Sequence, residues 1–223
     1  MSHSIQSNHK LLWAFLIASA AGFMVTLDNL VVTTALPVIR HELGAGLSGL
    51  EWTVNAYTLT FAALLLTGAA LGDRFGRRRL LAIGLTIFTV SSAAAALAPS
   101  IGVLDAARAI QGIGGAIVMP LTLTILSAAV PQGRRGLALG GWGGITGLAI
   151  AFGPLVGGAV VSGISWHWIF WLNVPIGLVL VPPFAVAVLD TSETVRDPKG
   201  GWNAETGWSY IPNPTLGQWV SGS

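Results

Sequence analysis

Long apolar runs alternate with short polar breaks along almost the whole chain. The runs cover Leu11 to Pro37, Trp52 to Leu71, Leu80 to Ala98, Ile101 to Val130, Leu137 to Ser162 and Trp168 to Leu189. Each is long enough for the roughly 20 helical residues that cross a hydrocarbon core, and the breaks between them are short, as in a compact bundle. The pattern therefore predicts an all-α integral membrane fold with three regions: a polar leader at 1–10, a bundle of six transmembrane helices at 11–189, and a tail at 190–223. The tail contains Gly200-Gly201, Pro212, Pro214, Trp202, Trp208 and Trp219 but no run that could span, and it reads as disordered or interfacial. The opening of the first run, Leu11 to Ile17 followed by Ala18-Ser19-Ala20, also has the outline of a signal peptide. Apolar sequence continues past it, so a first membrane helix is the better reading.

The polar breaks set the orientation. Four arginines, Arg74, Arg77, Arg78 and Arg79, fall within six residues of one break. On the same side lie Lys10, Arg134, Arg135, Arg196 and Lys199, whereas the opposite side holds only Arg40. By the positive-inside rule this predicts a multi-pass protein of the cell membrane, plasma or inner, with both termini cytoplasmic.

Composition adds exclusions. With 53% hydrophobic and 9% charged residues in 223, the chain is too apolar for a soluble domain. Its net charge of +2 comes from arginines at the ends of apolar runs, so a nucleic-acid partner is not expected and the lipid bilayer is. There is no cysteine, which removes disulfides and thiol nucleophiles. Neither a Ser/His/Asp set nor metal-ligand spacing nor a phosphate loop is evident, so the sequence supports no enzyme, cofactor or metal site.

Two ionisable residues inside the runs carry the candidate chemistry. At 1.5 Å per residue, Asp28 lies roughly 14 Å before the end of its run at Pro37, and Arg108 lies roughly 10 Å into its own, so the two sit at similar depth. A charge in the membrane costs at least about 2.5 kcal/mol and normally faces a partner or a water-filled cavity. One reading is that Asp28 binds a proton or cation while Arg108 tunes it or holds an anion. The other is a buried ion pair that only fixes packing. Asp73 is either a solvated loop charge or an acid that caps a helix or pairs with an arginine in one conformation. His167 reads as an interfacial residue, Glu51 as a solvated end charge, and Asn55 as a residue that could line a cavity. Gly112, Gly114 and Gly115, and the four-residue spacings Gly140–Gly144, Gly143–Gly147 and Gly153–Gly157, are expected to allow close helix packing. Gly153-Pro154 adds the expectation of a bend.

Four motifs, in order, resemble those of one transporter family. Leu27-Asp28-Asn29-Leu30-Val31-Val32-Thr33-Thr34-Ala35-Leu36-Pro37 is similar to a helix-one signature, with Leu30 and Thr33 in place of the usual Thr and Asn. Ala69 to Leu81, including Asp73, Arg74, Gly76, Arg77 and Arg78, resembles the cytoplasmic-loop signature of the major facilitator superfamily, with Ala69 for its first Gly. Leu104 to Ala116, with Arg108, Gln111 and Gly112, resembles the helix-four signature. Ala149 to Gly158, with Gly153, Pro154, Gly157 and Gly158, resembles the helix-five antiporter signature, with Ala149 for its first Gly.

The chain is thus similar to the N-terminal six-helix bundle of the fourteen-helix drug:proton antiporters within that superfamily. The resemblance implies proton-coupled export of drugs or other small molecules, with Asp28 and Arg108 coupling the proton and the loop around Asp73 gating one side. It implies a small-molecule substrate and protons as partners, and a second bundle across which substrate moves. Leu172 to Gly177 still fits helix six, but no family motif follows Pro198. That is expected of a truncated, non-transporting product, or of a half-transporter that works with a partner bundle or as a homodimer.

Overall fold

The computed structural model describes the backbone of residues 2–182 and the side chains of residues 11–182. Five long helices run in order, α1 (Ser2–Leu43), α2 (Leu47–Phe75), α3 (Arg77–Ala96), α4 (Ile101–Ala129) and α5 (Arg135–Gly163), with one 3-10 turn at Gln132–Arg134. A sixth, α6, opens with His167–Trp171 and resumes after a single turn residue, giving an apolar helical stretch over His167–Pro182. Among the described residues, five helices are long and apolar enough to cross a membrane. The expected end of the sixth span at Leu189 lies outside the described residues, as do the tail and the region past Pro198. Among the described residues there is no strand, and the all-α membrane architecture is as expected.

The end of the first helix is not where the hydrophobic run suggests. Pro37 lies inside α1, which continues to Leu43. Proline removes one backbone hydrogen bond and strains the turn before it. Tertiary contacts offset that: Ile39, beyond the proline, is fully buried, and the indole of Trp166 donates to Glu42 Oε2 at 2.8 Å. The helix then stops at Gly44, whose φ of +61° lets the Ala45 N–H turn back to the Arg40 carbonyl at 3.1 Å. This is the six-to-one bond of a Schellman cap. The span is consequently longer than the first run implied, and Ala18-Ser19-Ala20 forms part of it, with Ala18 and Ser19 buried.

At the other end of the bundle one residue joins two helices. Gly76, at φ +96°, closes α2 through its N–H to the Gly72 carbonyl and opens α3 through its carbonyl, which accepts from the Leu80 N–H. Only glycine takes that φ without a steric penalty, which is why the loop of arginines needs it.

α4 is the central element, packing against α1, α2 and α3, while α1 also packs against α5 and α3 against α6. Small residues make the approaches possible. A Cβ on Gly112 would fall on Thr60 Oγ1 and the Tyr57 carbonyl, and one on Gly68 would lie 2.7 Å from the Ala116 carbonyl, so α2 and α4 meet nearly backbone to backbone. Gly114 stands in the same way against the Phe88 N–H of α3, and Gly153 and Gly157 stand against Leu30 and Thr34 of α1. The other spacings in α5 behave differently. Gly140, Gly143, Gly144, Gly147 and Gly158 have nothing near the position of a Cβ, so the close packing expected of Gly140–Gly144 and Gly143–Gly147 is corrected. They lie on a side of α5 that no described helix covers; spacing selects a face but does not say what lies opposite. Pro154 is exposed within α5, which runs unbroken from Arg135 to Gly163.

Three apolar clusters fill the described interior, two of them large. One gathers Leu27, Val31, Ala35, Ile39, Leu104, Trp166 and Phe170, and the other Met24, Tyr57, Leu81, Leu85, Phe88, Val118 and Leu121. Asp28 and Arg108 follow each other in space between these two clusters. α1, α3 and α4 bury more than half of their most apolar stretch, but α2 and α5 leave most of theirs uncovered.

Candidate functional site

Asp28 reaches the interior because the buried face of α1 includes position 28 between Met24 and Val31, with Val25, Leu27 and Val32 alongside. Arg108 is placed likewise by α4, between the buried Leu104 and Gln111. The two meet: Arg108 Nη1 lies 2.5 Å from Asp28 Oδ2, with 2% of Asp28 and none of Arg108 accessible. Sequence alone placed them at similar depth; the helix packing brings them into contact.

The second carboxylate oxygen is shared by two amides. Gln111 Nε2 donates to Asp28 Oδ1 at 2.9 Å, and Asn173 Nδ2, from α6, donates to the same atom at 2.6 Å. Both amides also donate to Ser92 Oγ on α3, at 2.7 and 2.9 Å, and Arg108 Nη1 reaches Gln111 Oε1 at 2.7 Å. Every helix that packs around the carboxylate thus sends it a polar group or a polar support, apart from α5. The guanidinium lies over the Tyr57 ring at 4.2 Å, with Phe170 at 5.9 Å on a second ring face. A planar cation between aromatic faces keeps favourable contacts where water is excluded.

Arg108 also connects outward along α4. Its Nε donates to the Thr53 carbonyl at 3.3 Å, and the Thr53 hydroxyl donates to Asp105 Oδ1 at 2.7 Å. Arg108 Nη2 and the Tyr57 hydroxyl are buried with no hydrogen-bond partner among the described residues. The arrangement is a carboxylate whose charge is held by one cation and two amides, with spare donor capacity beside it.

The loop site is of a different kind. Arg77 Nε donates to Asp73 Oδ1 at 2.9 Å, and Nη2 lies 2.8 Å from the same oxygen, so the pair bridges Gly76. Asp73 and Arg77 are 64% and 42% exposed, and Arg74, Arg78 and Arg79 are exposed too. Asp73 is thus both solvent-exposed and paired with Arg77.

Sequence reasoning missed four members of this network: the buried Asn173, Ser92 and Thr53, and the half-buried Asp105. A signal existed for three. Asn173 interrupts an apolar run, Ser92 sits in another, and Asp105 stands three residues before Arg108. Thr53 carried no signal, because a threonine in a membrane helix usually bonds its own backbone. Asn55 is exposed, Glu51 is exposed as expected, and His167 stacks on Trp166 at 3.9 Å with its Nδ1 2.8 Å from Ser165 Oγ. Among the described residues no group of three His, Cys, Asp or Glu side chains could hold a metal.

Membrane-length helices wrapped around one buried ionisable pair define a class of integral membrane protein that keeps a charge inside its bundle. Comparison with known proteins identifies the family. A sequence model of the Major Facilitator Superfamily matches residues 18–218. The match continues past Pro198, where the sequence shows no further family motif, so the likeness does not stop where the motifs do. The chain is 37% identical over 188 residues to the tetracenomycin C resistance and export protein of Streptomyces glaucescens, covering 84% of this chain and 35% of that one. It is 41% identical over 168 residues to the multidrug resistance protein Stp of Mycobacterium tuberculosis, covering 74% and 31%. The inward-open xylose transporter XylE from E. coli shares the fold, with a TM-score of 0.65 at 19% identity over 79% of this chain and 47% of that one. The chain belongs to the Major Facilitator Superfamily. It spans about a third of the length of the curated relatives it matches.

Proposed function

We propose that this chain is the N-terminal bundle of a proton-coupled exporter of drugs or similar small molecules, with Asp28 as the proton site and Arg108 as its counter-charge. The observation that carries the reading is the Asp28 carboxylate, 2% accessible, held by Arg108, Gln111 and Asn173 from two other helices. A pair kept only for packing is matched or bettered in stability by apolar residues of similar volume, so three polar side chains on one carboxyl support a role that needs the charge. The names of the relatives support drugs as substrates. Both termini cytoplasmic in the cell membrane fits the arginine distribution.

A second six-helix bundle is the partner that the uncovered faces of α2 and α5 suit, and substrate would move between the two. The loop from Asp73 to Arg78 would gate the cytoplasmic side, and Gly153, Pro154, Gly157 and Gly158 would set how α5 meets α1.

The test begins with proton binding. In the reconstituted chain, the infrared carbonyl band of a neutral carboxyl should grow as pH falls and be missing in Asp28→Asn. In an intact relative of the family, drug efflux driven by the proton gradient should be lost when the aspartate matching Asp28 becomes Asn. Gradient-driven efflux unchanged by that substitution would remove the coupling role.

A further inference from the structure

Asp28, Arg108 and Asp105 together comprise two carboxylates and one guanidinium, so the one positive charge can balance only one of the two negative charges. In this structure it balances Asp28, and Asp105 rests on the Thr53 hydroxyl. We propose that Asp105 is the alternate counter-ion of Arg108: when Asp28 takes a proton, the guanidinium transfers to Asp105. The proposal rests on the reading of Asp28 as the proton site.

Three features of the geometry support the transfer. First, Asp105 precedes Arg108 by three positions on α4, and residues so spaced are neighbours on a helix surface, with the acid N-terminal to the base. Long helical side chains lean toward the N-terminus of their helix, which directs Arg108 toward Asp105. Its Nε already reaches the carbonyl of Thr53, the residue whose hydroxyl holds Asp105.

Second, Asp105 can leave Thr53 without stranding a donor. The Thr53 hydroxyl has one proton and two acceptors in range, Asp105 Oδ1 at 2.7 Å and the Gly49 carbonyl at 3.1 Å. When Asp105 turns away, the hydroxyl goes to Gly49. Third, Arg108 Nη2 is buried and unpartnered among the described residues, so the guanidinium has a donor free for a new acceptor. The Tyr57 ring flanks it throughout the short movement.

The charge balance fits. Asp28 gains one proton from water, and the three groups go from a net charge of −1 to zero. The neutral carboxyl keeps its amide bonds to Gln111 and Asn173 through Oδ1, while the one remaining carboxylate meets the one guanidinium. Few other groups compete. Tyr57 of α2 lies against Arg108, and Glu51 of α2 is exposed. The described lengths of α3, α5 and α6 carry no ionisable side chain beyond the arginines that open α3 and α5 and His167 at the start of α6.

The test uses the full chain in lipid nanodiscs. In Asp28→Asn, which mimics the protonated state, solid-state NMR should find Arg108 Cζ in contact with Asp105 Cγ; an arginine still seated at position 28 and Gln111 overturns the proposal. Titration of the Asp28 infrared band gives the second readout. Asp105→Asn keeps an acceptor for Thr53 yet removes the alternate charge, so the midpoint should fall by about one pH unit, the size expected of one nearby charge. Asp105→Glu should restore it. Thr53→Val frees Asp105 and should raise the midpoint; a fall like that of Asp105→Asn would mean that Asp105 only braces Thr53, and an unmoved midpoint in Asp105→Asn would also sink the transfer. If no Asp28 band appears, the proton-site reading fails, and the NMR distance in Asp28→Asn still decides the transfer.

Discussion

The described residues hold two aspartate–arginine pairs of similar length and opposite character. Asp28–Arg108 joins helices eighty positions apart and is closed to solvent; Asp73–Arg77 joins the ends of consecutive helices and is open to it. In water an ion pair at contact gains about 1 kcal/mol, and in a dry interior the attraction and the desolvation cost are both many times larger. The difference teaches that burial, and not the presence of the pair, decides what an acid and an arginine do. The buried pair ties four helices to one carboxyl, whereas the exposed pair trims a turn that Gly76 already makes.

Breaking each pair should expose that difference. Arg108→Ala leaves a bare buried carboxylate and should cost about 3–5 kcal/mol in reversible unfolding from detergent. Asp28→Leu combined with Arg108→Met should recover much of this loss, because neither charge is then unpaired; additive losses in that double-mutant cycle would mean that the contact is not energetically real. Asn173→Leu removes one charge-assisted bond to Asp28 and should cost about 1.5–3 kcal/mol by the same measurement.

The glycines extend the comparison from charge to packing. Gly112→Ala places a methyl group on Thr60 and the Tyr57 carbonyl and should cost about 1–3 kcal/mol through overpacking. Gly144→Ala meets nothing in the described chain and should be neutral or stabilise by up to about 1 kcal/mol, read as a shift in melting temperature. Asp73→Ala should change stability by less than about 1 kcal/mol, and less again at high salt.

Much of this was legible in the run lengths and the arginine distribution, for a reason that lies in the solvent. A bilayer demands helices of a certain length and makes polar groups costly, so the apolar runs mark the helices and a lone charge inside a run marks a site. Asp28 and Arg108 were visible on those grounds, and Gln111 through the likeness to the helix-four signature. The end of α1 was not, because the burial of Ile39 and the bond from Trp166 to Glu42 outweigh the local effect of Pro37. The glycines of α5 were half legible: their spacing shows a face, but Gly157 meets Thr34 while Gly144 meets nothing, and that depends on where α1 lies.

The sequence by itself therefore determined where the apolar helices fall along the chain, the sidedness expected from the arginines, and which two charges lie within them. Each depends on one segment and its medium. Only the tertiary structure decided that Asp28 touches Arg108, that Asn173 and Ser92 complete the carboxylate's shell, and that Thr53 links Asp105 to the arginine through its hydroxyl and its carbonyl. Those contacts join residues of different helices, and helix crossing, set by side-chain shape along whole faces, leaves no mark at the residues it brings together.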